Sequence, residues 1–348
     1  MSPKRVLITG CGGMLGNAIY PYFVQQCGTV TATDRDASEP WLNELDVRDE
    51  AGLTKAYEEL QPDLVLHLAA ETDLEYCENN PNIAEDINAT ATRTIAGLTE
   101  EHGSTLVYIS TAGVFDGKKD GFYTEEDQPK PIMTYGQTKF DGENHVREIC
   151  SKYYVIRAGW MVGGGQQKDH KFVSKILEQI VDNRKTIHAV SDKLGTPTYT
   201  HDFANNLFAL LDSEQYGTYH MVCEGSGSRY DVAREILNIC KRNDIELKEV
   251  DSDFFKDEYF APRPRSEMMI NNNLAKIGLN RMRPWKIALR DYIHMEFSHA
   301  VNGHDKEIKL SVFANAAKDR RQSNSDRRAA ELAIHFPDRR GAQDRRAL

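Results

Sequence analysis

The sequence predicts an α/β fold in which a doubly wound parallel sheet is followed by a smaller α/β domain. Three observations predict it. Short, nearly continuous apolar runs alternate with longer amphipathic stretches through the first half of the chain, as expected of parallel strands covered on both faces. A glycine cluster sits at the first strand-to-helix junction. After Arg157 the alternation loosens, and Gly163-Gly164-Gly165 marks a flexible turn.

The elements follow in order. Arg5 to Thr9 reads as a strand and Gly13 to Gln26 as a helix. Thr29 to Thr33, rich in β-branched residues, is the second strand. Glu50 to Leu60 is helical and ends before Pro62. Asp63 to Leu68 is the third strand, and a long helix runs from Ile83 to Glu101 after Pro81. Thr105 to Ile109 is the fourth strand, Thr134 to Cys150 a helix, and Tyr153 to Arg157 the fifth strand. This is the doubly wound (Rossmann) pattern. Beyond it, helices are expected at Lys171–Val181, Asp202–Leu211 and Arg229–Cys240, a strand at Gly217–Val222, and an extended segment at Pro262 and Pro264. The expected organisation is a dinucleotide-binding domain over residues 1–158, a mainly substrate-binding domain over 159–300 with segments returning to the first, and a tail over 301–348.

The tail repeats Asp-Arg-Arg four times, at Asp319, Asp326, Asp338 and Asp344. Few apolar residues and dense charge suit a solvated extension, partly disordered. It could also dock an anionic partner.

Composition narrows the function. The 348 residues carry a net charge of -10, which argues against a general nucleic-acid binder. The apolar run Val6-Leu7-Ile8 is too short for a signal peptide, and no segment approaches the roughly 20 apolar residues of a membrane span. Cys11, Cys27, Cys77, Cys150, Cys223 and Cys240 form no Cys-x-x-Cys pair. They read as free thiols of a cytoplasmic protein, with no metal site. His170, His188 and His201 read as surface or loop residues. Trp41 and Trp285 read as packing residues. Lys168, Arg184 and Lys193 suit a solvated face better than a diphosphate channel.

Thr9-Gly10-Cys11-Gly12-Gly13-Met14-Leu15-Gly16 ends the first strand and opens the first helix. A pyrophosphate needs close backbone approach and free N–H groups at a helix N-terminus, and glycine allows both. Gly10, Gly13 and Gly16, with Met14 and Leu15, are therefore the expected pyrophosphate turn. Asp34, ending the second strand, can accept from the adenosine ribose hydroxyls and favours NADH. Arg35 beside it would meet a 2′-phosphate. The cofactor is thus NAD(P)H, leaning to NADH. Asp46 and Val47 read as an adenine-edge contact.

Tyr135 and Lys139 stand one helical turn apart on one face. A neighbouring ammonium stabilises a phenolate and lowers a tyrosine's pKa. Ser110-Thr111 ends the fourth strand at the carboxyl edge of the sheet, where ligands of open α/β sheets bind. Thr111 can hydrogen-bond a substrate carbonyl while Tyr135 donates the proton.

Thr9–Gly16, Thr111, Tyr135 and Lys139, with His67-Leu68-Ala69-Ala70 after the third strand, resemble the extended short-chain dehydrogenase/reductase family. More narrowly, the chain resembles the dTDP-4-dehydrorhamnose reductase family of nucleotide-sugar reductases. The supporting residues are Ala69-Ala70-Glu71-Thr72-Asp73 with Glu78 and Asn88, Val114-Phe115-Asp116-Gly117, Trp160, Gly195-Thr196-Pro197-Thr198-Tyr199 with Asp202, and Arg263-Pro264 with Ser266. The resemblance implies catalytic roles for Thr111, Tyr135 and Lys139 and cofactor contacts from Leu68, Ala69 and Ala70. It also implies a substrate site formed by Glu71, Thr111, Trp160 and Arg263. Ala112-Gly113 and Glu71 depart from the family, which usually carries Asp-Tyr and Tyr there.

The implied activity is NAD(P)H-dependent reduction of a nucleotide-linked 4-keto-6-deoxysugar. The alternatives are a nucleotide-sugar 4-epimerase with tightly bound NAD, and a non-catalytic regulatory subunit like that of methionine adenosyltransferase. A homodimer is compatible with the sheet-covering helices.

Overall fold

The structure is a computed structural model that describes residues 4–301. The Asp-Arg-Arg tail, and the docking role expected of it, lie outside the described residues.

Strands β1 (Arg5–Thr9), β2 (Thr29–Asp34), β3 (Asn43–Glu44), β4 (Leu64–His67), β5 (Thr105–Thr111) and β6 (Tyr153–Ala158) join Gly217–Met221 in a seven-stranded sheet. Its order is Gly217–Met221, β6, β5, β4, β1, β2, β3, and every pairing is parallel. The order reverses between β1 and β4, where Thr9 pairs with His67. A crevice at the carboxyl ends of strands is expected at such a switch point.

Both faces of the sheet are buried, which explains the unbroken apolar runs. Leu7, Val65, Leu106, Tyr108 and Val155 pack under α2 (Glu50–Leu60) and α5 (Ala91–Glu101) through Leu53, Tyr57 and Ile95. Val6, Ile8, Leu66, Val107 and Ile156 face α1 (Met14–Gln26) and the helix Thr200–Asp212 through Ile19, Phe23, Phe203 and Leu207. Neighbouring residues of one strand serve opposite cores.

The long helix expected from Ile83 begins earlier and is not uniform. It runs as α4 (Pro81–Glu85), a π-helical turn at Asp86–Thr90, and α5. A further short helix, α3 (Leu74–Asn79), precedes it. α6 (Thr134–Ile149) follows β5. Beyond β6, short strand pairs link Trp160–Val162 with Pro197–Tyr199 and Thr186–Val190 with Glu246–Val250. Gly195 pairs with both Gly227 and Glu267. Trp285 is buried, as expected, and opens a helix to Glu296. His188 and His201 are half-buried in a strand and a helix instead of lying in loops. All six cysteines are free.

One buried ionic cluster ties α6 to the sheet. The Glu143 carboxylate, fully buried, accepts from Ser110 Oγ at 2.6 Å, from Arg157 Nε and Nη2 at 2.8 Å each, and from Arg147 Nη1 at 2.8 Å. Removing one member of such a pair strands the other charge. Glu143→Ala is expected to cost about 3–5 kcal/mol in urea unfolding. Breaking the exposed Lys55–Glu59 pair with Lys55→Ala should cost less than about 0.5 kcal/mol.

Candidate active site

The glycine turn closes the carboxyl end of β1. Gly10 has φ of 68°, and a Cβ there would overlap the backbone of Ala69. A Cβ on Gly16 would overlap the backbone of Cys11. Both glycines are demanded by the protein's own packing. Gly13 is different: a Cβ there would meet only the Gly10 carbonyl, at an ordinary 3.4 Å. Gly13 is also the N-cap of α1, and no side chain caps that helix. Met14 and Leu15 form its first turn.

Gly12, absent from the sequence-based set, donates its N–H to Asp34 Oδ2 at 2.9 Å. Asp34 thus stands against the turn, while Arg35 is exposed. Asp46 is engaged by its near neighbour Arg48, which holds the carboxyl below its usual range and leaves the backbone of Asp46 and buried Val47 for any adenine contact. Leu68 N–H donates to the Thr9 carbonyl at 3.0 Å, bringing Leu68, Ala69 and Ala70 beside the turn. His67 is buried between Thr9 and Thr92 hydroxyls. Burial depresses its pKa to about 3, so it is neutral.

The start of α6 is fixed from α3. Glu78 accepts from the Thr134 N–H at 2.7 Å and from its hydroxyl at 3.0 Å, replacing the cap that Met133 cannot supply. Tyr135 is thereby set opposite Thr111. Burial raises the Tyr135 pKa well above 10, and the Thr111 hydroxyl hydrogen bond offsets part of that. Thr111 Oγ1 itself accepts from the Gly113 N–H at 3.1 Å. Its own proton is then available to the Tyr135 oxygen.

Lys139 is buried, with its ammonium 4.1 Å from the centre of the Tyr108 ring. Burial lowers its pKa to about 7, against the raising effect of Glu143 one turn on. Desolvation is the largest influence on Tyr135, and the lysine is not among the groups that shift it. Burial sets the Tyr135 proton, and the lysine itself is poised to titrate.

Asn88, in the π turn, is fully buried and binds three groups. It accepts from the Glu71 N–H at 2.9 Å and donates to the Glu71 carbonyl and Thr138 Oγ1, both at 3.1 Å. π turns often occur at functional positions because they displace one side chain from the helical register. Glu71 is held beside α6 by this contact, and its charge reaches Tyr135.

Trp160 Nε1 donates to Glu267 Oε2 at 2.7 Å, and the charge of Glu267 reaches Tyr135. The Arg229 guanidinium lies 3.8 Å from the Trp160 ring centre, and burial lowers its pKa to about 10. Glu267 is raised by burial despite its bond to Trp160 and the nearby charges of Arg229, Arg263 and Lys193. Arg263 pairs with Glu75 of α3 at 2.7 Å. Arg229 and Glu267 carry no sequence signal of their own, because their partners are remote in the chain. Arg184 is solvent-exposed as expected. Lys168 is not: its side chain is 15% exposed and ion-paired to Glu39 at 2.6 Å. Among the described residues no His/Cys/Asp/Glu group is arranged to hold a metal. No described helix is long and apolar enough to cross a membrane.

Known proteins resemble this chain over most of its length. The RmlD substrate binding domain family matches residues 4–297. A dTDP-4-dehydrorhamnose reductase of Mycobacterium tuberculosis is 30% identical, over 82% of this chain and 91% of its own. The structure of a dTDP-4-dehydrorhamnose reductase from Bacillus anthracis in complex with NADP superposes with a TM-score of 0.76 at 28% identity, covering 84% of this chain and 99% of that one. Methionine adenosyltransferase 2 subunit beta of Rattus norvegicus is 27% identical, over 83% of this chain and 86% of its own. Built on the extended short-chain dehydrogenase/reductase fold, this chain belongs to the RmlD substrate binding domain family.

Proposed function

We propose that this protein is an NAD(P)H-dependent reductase of a nucleotide-linked 4-keto-6-deoxysugar, of the dTDP-4-dehydrorhamnose reductase type. The observation that carries the reading is the meeting of Tyr135 with Thr111 beside buried Lys139, at the sheet edge that also bears the glycine turn. Residues 1–158 would bind the dinucleotide and residues 159–300 mainly the sugar nucleotide.

The residues fit a dinucleotide. The uncapped N-terminus of α1 offers N–H groups to a pyrophosphate, and Gly13 keeps space open above them. Asp34 would face the adenosine ribose. Leu68, Ala69 and Ala70 would lie along the dinucleotide toward Thr111. When bound, the reduced nicotinamide supplies the hydride to the keto carbon. Tyr135 gives its proton to the keto oxygen, and the Thr111 hydroxyl donates a hydrogen bond to that oxygen. Lys139 favours the developing tyrosinate while it is charged. Arg229, Arg263 and Lys193 surround Glu267 with excess positive charge, which suits a nucleoside diphosphate. Trp160 would pack against the same ligand.

A regulatory-subunit reading draws support from the rat relative of similar identity. A 4-epimerase would turn over a nucleotide sugar with no net dinucleotide oxidation. One assay separates the reductase from the other two: NADH and NADPH oxidation against a panel of nucleotide 4-ketosugars, dTDP-linked ones included; sugar interconversion without oxidation then marks an epimerase. Tyr135→Phe is expected to lower kcat by about 10²-fold or more with the fold intact. Turnover near the parent's would overturn the proposed proton donor.

Gly13→Ala should leave the melting temperature of the free protein within about 2 °C, since its Cβ meets no obstacle. It should weaken dinucleotide binding by roughly tenfold or more, read by calorimetric titration. Gly10→Ala should instead destabilise the free protein, because of its positive φ and the Ala69 backbone.

The pH dependence follows from Lys139. Its charge is present below about 7 and lost above it. kcat/KM, which reports free-enzyme groups, should fall as pH rises through about 7, and Lys139→Met should lose that limb. The unfolded lysine keeps its proton to about 10. Folding therefore releases a proton between these values, and stability attributable to this residue rises with pH across that window. Lys139→Met should melt above the parent at pH 6, and the gap should close toward pH 10.

A further inference from the structure

The glycine turn is held by a residue more than 150 positions away. Lys168 ends the short helix Gly165–Lys168. Its ammonium donates to the Gly12 carbonyl at 2.8 Å and pairs with Glu39 at 2.6 Å. It also lies 5.9 Å from the centre of the Trp41 ring. Trp41 stacks on Tyr20 with ring centres 4.2 Å apart and donates to Glu39 at 2.9 Å.

The approach is built into the backbone. Gly163, Gly164 and Gly165 all have positive φ, at 155°, 81° and 60°. A Cβ on Gly164 would press on Lys168 and on Met14 at the head of α1. The turn thus packs directly on the pyrophosphate end of the site.

Gly12 is gripped at both ends, its N–H by Asp34 and its carbonyl by Lys168. One residue of backbone separates a carboxylate suited to the adenosine ribose from an ammonium neutralised by Glu39. The Lys168 hydrogen bond holds the Glu39 carboxyl below its usual range. A ribose 2′-hydroxyl leaves that pair intact. A 2′-phosphate, carrying about two negative charges, is repelled by Asp34 and Glu39 and attracted by Lys168 and exposed Arg35.

We propose that Lys168 is a specificity-determining residue for the dinucleotide: its ammonium exchanges Glu39 for the 2′-phosphate of NADPH, so that a site carrying Asp34 also accepts the phosphorylated cofactor. The proposal rests on the dinucleotide reading of the glycine turn. The exchange is ionic and moves no covalent bond.

The test is calorimetric titration of NADPH and of NADH onto the full chain and its variants, with no substrate present. Lys168→Met is expected to weaken NADPH by about tenfold, the value of one charge-assisted hydrogen bond, and NADH by less than about twofold. Lys168→Arg should retain NADPH binding. Glu39→Gln should tighten NADPH by several-fold and leave NADH unchanged. Equal weakening of both dinucleotides by Lys168→Met would mean that the lysine only braces the turn, and would overturn the proposal. Unchanged binding of both would overturn it as well. If the parent protein binds neither dinucleotide, the cofactor reading itself fails, and this proposal with it.

Discussion

The arrangement of the site depends on the buried carboxylate of Glu143. It gathers a hydroxyl and two guanidinium groups from β5, β6 and its own helix. Burial alone would push such a group toward protonation, but the Arg157 and Ser110 bonds more than reverse that, and its pKa stays below the usual range. The contact fixes one helix against two strands at a single point. Ser110 precedes Thr111, and Glu143 follows Lys139 by one turn. Holding Ser110 to Glu143 therefore holds Thr111 in register with Tyr135 and Lys139. Four charge-assisted hydrogen bonds offset the desolvation, which is the condition under which a buried ion pair is tolerable.

Close approach of α6 is the second condition, and two glycines meet it. A Cβ on Gly136 would overlap the Gly113 carbonyl, and one on Gly142 would overlap the Tyr108 hydroxyl. Tyr108 then donates to the Lys139 and Asn88 carbonyls at 3.1 and 3.3 Å and lays its ring against the Lys139 ammonium. Ala112-Gly113, the departure from the family's usual pair, lies in this contact. Gly113 supplies the carbonyl that faces Gly136 and the N–H that binds Thr111. The backbone of that turn still serves Thr111, whatever the missing side chains change about the sugar.

What the sequence made legible was local. Val6 to Ile8, Val65 to Leu66 and Leu106 to Val107 announce covered strands because both their faces are buried. The glycine spacing announces its turn because Gly10 combines a positive φ with a Cβ direction blocked by the Ala69 backbone. Tyr135 and Lys139 declare themselves through a single helical turn. What stayed hidden depends on partners remote in sequence. Glu78 caps α6 from 56 positions away, and Trp160 meets Glu267 across 107. Lys168 looked like a solvated cation because its anchors, Gly12 and Glu39, lie far earlier in the chain. The π turn at Asp86–Thr90 leaves the apolar periodicity of its helix nearly unchanged, so the displacement of Asn88 cannot be read from pattern. Strands of two or three residues, such as Gly227–Ser228, are too short to show alternation.

The protonation states of the free site bear on the direction of chemistry. Tyr135 keeps its proton because burial disfavours the phenolate, and the nearby Cys77, Glu267 and Glu71 add to that preference. A protonated phenol is the form that the proposed reduction needs for donation to a carbonyl oxygen. Lys139 near neutrality is the complementary element. In the proposed reaction it would, while charged, compensate the tyrosinate left behind, and its depressed pKa would keep it from locking that tyrosine in the ionised form. Glu143 limits how far the depression goes, since its negative charge raises the lysine. The carboxylate that secures α6 to the sheet therefore also sets how readily the buried lysine holds its proton, and one buried group links the integrity of the fold to the acid–base balance of the site.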